Sequence, residues 1–76
     1  MRVGQIWRAL NAPDGNFVRI YGIDDEAGKE VVHEHVPTRR GMVTVAACTI
    51  NGDPIGRKFV CVHRSSFGGM LYALVK

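Results

Sequence analysis

The chain has 76 residues, 46% of them hydrophobic and 22% charged, and a formal net charge of +3. A chain this short predicts one domain, 1–76, whose marginal core leaves few positions for an elaborate catalytic site. No apolar run reaches the ~18 residues of a membrane span, the N-terminus lacks the form of a signal peptide, and two cysteines are too few for a secreted disulfide scaffold. The expectation is a soluble, cytoplasmic protein in which Cys48 and Cys61 remain buried thiols.

Valine and isoleucine total fifteen and leucine only three, a composition that favours strands. In chain order the sequence predicts strands over 3–10, 17–23, 30–36, 42–50, 57–63 and 70–75. Between them stand clusters of Gly, Pro, Asn, Asp and Ser at 11–16, 24–29, 37–41, 51–56 and 65–69, residues that accept turn geometry. No segment keeps a 3.6-residue apolar period over ten residues, so helix is limited to one short 3₁₀ turn near Arg64-Ser65-Ser66-Phe67. Short strands at this spacing predict an all-β meander, rolled into a small barrel or packed as a compact sandwich. Alternation places Val18 and Ile20 on one face of the second strand, with Phe17, Arg19 and Tyr21 on the other. It likewise groups Val43, Val45 and Ala47 in the fourth, and sets Val60 and Val62 against Phe59, Cys61 and His63 in the fifth.

Charge is uneven along the chain. Residues 1–35 carry four basic and six acidic side chains; residues 36–76 carry six basic and one acidic. Such asymmetry suits a nucleic-acid or acidic-protein partner.

The two ends, Gly4-Gln5-Ile6-Trp7-Arg8 and Arg64-Ser65-Ser66-Phe67 followed by Tyr72-Ala73-Leu74-Val75, together resemble small actinobacterial and actinophage proteins. Those have a Gly-x-hydrophobic-Trp start and a Tyr-x-Leu-Val end. The resemblance implies an SH3-like barrel of five to six antiparallel strands and a phage-type accessory role, in the host cytoplasm if phage-encoded; it supplies no catalytic residues. Asn51 to Gly56 is longer than a simple hairpin in that pattern would need.

Among candidate sites, pairing of the first two strands would set Trp7, Phe17 and Tyr21 beside Arg8 and Arg19, aromatic platforms for bases with cations for phosphate. The bland reading of Trp7 is a core plug, because its ring removes so much surface from water. Arg39 and Arg40, with Arg57 and Lys58, lie in two predicted turns and would form a second basic patch or only keep the surface soluble. His33 and His35, two apart, would share one face of a strand, but no C-x-x-C or H-x-x-x-H spacing points to zinc, and no metal or other cofactor is expected. A hairpin loop over 51–58 would place Cys48 opposite Cys61. His63, Ser65 and Ser66 adjoin Cys61, yet alternate strand residues point apart, no third group is placed to orient a base, and Asp24-Asp25-Glu26 reads as a solvated turn; no enzyme is expected.

The function expected first is therefore a non-catalytic binding module for a host protein. The exposed members of Trp7, Phe17, Tyr21 and Phe67 would be its anchors, and Arg39, Arg40, Arg57 and Lys58 would steer an acidic surface. A barrel edge open to a partner strand or a second copy is the other available surface. The alternative is a nucleic-acid-binding barrel using Arg8, Arg19 and Tyr21.

Overall fold

The chain forms six strands in a computed structural model, which describes residues 1–10, 16–68 and 71–76, with Arg57 described by its backbone alone. They are β1 (Ile6–Ala9), β2 (Phe17–Asp25), β3 (Gly28–Val31), β4 (Met42–Cys48), β5 (Pro54–His63) and β6 (Tyr72–Leu74), with one 3₁₀ turn at Arg64–Ser66. The expected turns at 11–16 and 65–69, and the start of the last expected strand, fall partly on residues 11–15 and 69–70, outside the described residues. No helix among the described residues is long and apolar enough to cross a membrane.

The strands form one antiparallel sheet in the order β5-β4-β2-β1-β6, with β3 also paired to β2. Strand β2 organises it. Residues Phe17 to Arg19 pair with β1, Gly22 to Asp25 with β3, and nearly the whole length with β4. The path is open: among the described residues no ladder joins β5 to β6, and the chain leaving β5 meets β6 only through a Phe67–Tyr72 bridge.

Every strand differs from the sequence reading at one end or both, and local bonds explain the shifts of β3 and β5. Strand β3 occupies Gly28–Val31 rather than 30–36. Asp25 pairs directly with Gly28, and the Asp25 carboxylate accepts a hydrogen bond from the Ala27 N–H, 3.0 Å. That local bond closes a two-residue turn inside the polar cluster, so the strand starts sooner. It stops sooner as well, because the His35 N–H donates to His33 Nδ1, 3.2 Å, and bends the chain toward Pro37. His33 and His35 thus sit in a bend, not on a strand face. Strand β5 starts at Pro54 rather than 57, because the turn before it closes over only a few residues: the Thr49 N–H donates to the Asp53 carbonyl and the Gly52 N–H to the Thr49 carbonyl.

The core lies on one face of the sheet. Trp7, Ile20, Val43 and Val45 are buried there, flanked by Val3, Val18, Ile23, Val62, Phe67 and Tyr72. A bulge at Tyr21 shifts the β2–β4 register between Ile20 and Gly22. This extra residue lets Ile20 and Ile23, three apart, both face the core. Ala47, grouped with Val43 and Val45, and Val60, grouped with Val62, are nevertheless exposed, Ala47 near the end of β4 and Val60 on the edge strand.

Part of the opposite face is roofed by the loop that follows β3. Val36 is buried against Gly22, and the Thr44 hydroxyl, fully buried, donates to the Pro37 carbonyl at 2.6 Å. A Cβ on Gly22 would lie 3.2–3.3 Å from Val31, Val36 and Thr38, so the missing side chain is what allows the loop to close.

Candidate functional site

The rest of that opposite face is where the sequence-predicted basic and aromatic residues gather. Residues paired across an antiparallel sheet share a face. Arg8, Phe17 and Cys48 are aligned across β1, β2 and β4; Ile6, Arg19, Ala46 and Phe59 form the next row. Tyr21 keeps the side that alternation gives it, and its ring meets Phe59 edge-on at 5.4 Å between centroids. Arg8 is exposed, whereas Phe17, Arg19, Tyr21 and Phe59 are each half-buried.

Trp7 and Phe67 are on the other side. The Trp7 ring is 7% exposed, packs edge-on against Phe67 at 5.2 Å, and Phe67 stacks on Tyr72 at 4.8 Å. Trp7 closes the core and is not a solvent-facing anchor, the size of the indole having decided the matter, while Phe67 is half-buried beside it.

Arg19 is held in place by the turn between β4 and β5. Its Nη1 donates to the Gly52 carbonyl at 3.3 Å, and Gly52, at φ +91°, closes over Ile6, which is buried beneath. Arg19 Nε has no hydrogen-bond partner among the described residues. The guanidinium has five donors and spends one on Gly52. Beside it Cys48 is buried. Burial raises its thiol pKa above the ordinary value, Arg19 pulls against this, and Asp53 adds to it.

The second basic group is dispersed. Arg39 and Arg40 are exposed in the segment leading into β4, but Lys58 is on strand β5 rather than in a turn, because β5 begins at Pro54. Arg57 is in the same strand, its side chain outside the described residues. Arg40 borders an open cleft of about 520 Å³ together with Asp25, Glu26, His63 and Arg64. There the Asp25 carboxylate is ion-paired to Arg64 at 2.9 Å. Carboxylates balance the cations, so this cleft has no strong preference for an anion.

The thiols and imidazoles do not converge. Cys48 faces Pro54, and Cys61 faces Thr44, with Thr44 Oγ1 3.6 Å from Cys61 Sγ. The expected Cys48–Cys61 pairing fails because the turn closes between Cys48 and Pro54, earlier than a loop over 51–58; the three extra residues that β5 contributes between Ala46 and Cys48 offset this only in part. Among the described residues no three His, Cys, Asp or Glu side chains form a group fit to hold a metal ion. Ser65 and His63 do meet, Oγ to Nδ1 at 2.8 Å, across the start of the 3₁₀ turn. The Ser65 N–H also donates to Nδ1, so the imidazole caps that turn; both side chains are exposed.

Phe59 is the residue that the sequence reading did not select. Its alternation with Val60 and Val62 put it on the correct face, but its meeting with Tyr21 depends on the pairing of both β2 and β5 with β4, a register that alternation does not give. Comparison with protein-family models, curated proteins and solved structures finds no match.

Proposed function

We propose that the protein is a small non-catalytic binding module of SH3-like form, and that its working face takes single-stranded nucleic acid. The SH3-like reading is supported by the return of β6 beside β1 and by the 3₁₀ turn that precedes it. The ligand reading is carried by one observation: Arg8, Phe17, Arg19 and Tyr21 share a face, with Phe59 against Tyr21. Half-buried rings offer flat apolar surface to bases, and the two guanidinium groups suit the phosphates that connect them. Two free thiols accord with a cytoplasmic setting. A host-protein partner is the second reading: Phe17 and Tyr21 are the anchors left to it, with exposed Arg39, Arg40 and Lys58 to steer an acidic surface.

Salt separates the two. Anisotropy of a labelled fifteen-residue oligothymidylate should show binding that weakens roughly tenfold between 50 and 200 mM salt, as two to three neutralised phosphates require. Tyr21→Ala should cost about 1–3 kcal/mol of affinity through lost stacking, and Arg8→Ala should lower the salt slope by about 0.7. Absence of binding to single-stranded and duplex oligonucleotides at 25 mM salt would rule out the nucleic-acid reading.

A further inference from the structure

We infer that the free edge of β5 is a second binding site, which takes an extended, acidic peptide segment of a partner protein as an added antiparallel strand. The proposal is independent of the nucleic-acid face. It begins with which way the main chain points. The Val32 N–H donates to the Tyr21 carbonyl, so Tyr21 and Ile23 direct their main-chain groups to β3 and Gly22 and Asp24 direct theirs to β4. Carrying the alternation across the sheet turns Thr44 toward β2, and Val43 and Val45 toward β5. Their partners Val62 and Val60 are therefore bonded inward. Phe59, Cys61 and His63 point their N–H and C=O groups outward, where no backbone partner meets them among the described residues.

This edge differs from the other two. β3 offers four residues with charges of both signs, and β6 offers three, one of them bridged to Phe67. β5 runs for ten residues and contains Arg57 and Lys58 but no carboxylate. Backbone groups on an open edge give affinity, and the alternating side chains beside them give selectivity. Val60, 47% exposed on one side of the edge, would pack against an apolar residue of the added strand. An antiparallel guest brings its C-terminal end to Lys58, where a carboxylate is the complement. A second copy of this chain is a poor guest: pairing β5 with β5 adds cations to cations.

The test uses an acetylated, amidated octapeptide of alternating valine and threonine that ends in two glutamates, titrated into the ¹⁵N-labelled full chain. Saturable shifts centred on the Phe59, Cys61 and His63 amides are expected, with at least tenfold weaker binding of the peptide that ends in two lysines. N-methylation of alternate peptide residues should abolish binding, and Lys58→Glu, an exposed substitution, should reverse the preference for glutamate over lysine. Equal affinity for the two peptides, shifts centred instead on Arg8, Phe17 and Tyr21, or no binding at millimolar peptide would each overturn the proposal. So would a concentration-dependent dimer with shifts at the same three amides, which would make a second copy the occupant. The oligothymidylate, which meets Phe59 through Tyr21, should leave the Cys61 and His63 amides unmoved, so the two sites stand or fall separately.

Discussion

Gly52 shows how much one missing side chain carries. At φ +91° its backbone is in the left-handed region, and an added Cβ would lie 3.1 Å from Ile6 Cδ1 and 3.5 Å from Arg19 Nη1. Gly4 has nearly the same φ, +94°, with no atom within 4 Å of such a Cβ. Gly4→Ala should therefore cost only the backbone term, about 1 kcal/mol. Gly52→Ala adds overpacking against Ile6 and should cost roughly 2–3 kcal/mol. Urea unfolding of the two variants gives the difference; equal midpoints would mean that the turn does not press on Ile6. The same contact explains what could not be read from sequence around Arg19. Its place beside Phe17 and Tyr21 followed from alternation, but its half-burial comes from a turn more than thirty residues further on, and nothing local announces it. Trp7 is the opposite case, since the bulk of the ring already favoured the core.

At the scale of strands, the β-rich runs between turn clusters gave the number of strands, but the third expected strand, 30–36, overlaps β3 only at Glu30 and Val31, and strand ends followed bonds that composition does not reveal. Asp25 closes a tight turn and His33 a bend, and between them they move β3 forward. The β4–β5 hairpin is the clearest instance. Counting outward from a loop over 51–58 sets Cys48 against Cys61, whereas the actual turn is shorter and β5 bulges, with Gly56 at φ +76°. Cys61 faces Thr44, four residues from Cys48 along β4, a separation of about 13 Å in an extended strand. A disulfide needs Cα atoms within about 7 Å. Mild oxidation of the native protein should thus leave two titratable thiols with no intramolecular bridge, while oxidation in denaturant should produce one. A bridge formed rapidly under native conditions would contradict the observed register.

For the whole molecule the consequence of an open path is uneven cohesion. β2–β4 and β4–β5 are long ladders that bury Ile20, Val43 and Val45, whereas β6 is held by a short ladder of three pairs with β1, by flanking backbone bonds at Leu71, Val75 and Lys76, and by the aromatic series Trp7, Phe67 and Tyr72. Elements with little ladder and few buried groups open before the rest. Amides of Val43 and Val45 should exchange only through global unfolding, and those of β6 at a lower free energy. Phe67 joins the two regimes, because it packs on Trp7 in β1 and on Tyr72 in β6 while following directly on the 3₁₀ turn. Phe67→Ala removes a half-buried ring and should cost about 2–3 kcal/mol, less than the 3–5 of a fully buried phenylalanine. Exchange in β6 should then speed up more than exchange in β4. Trp7 is the only tryptophan, so its emission reports the same event, and a red shift should precede loss of the β-sheet circular-dichroism signal as urea rises. If emission and circular dichroism change together in this variant, β1 and β6 are no looser than the β2–β4–β5 body, and the aromatic series is not what keeps the last strand in place.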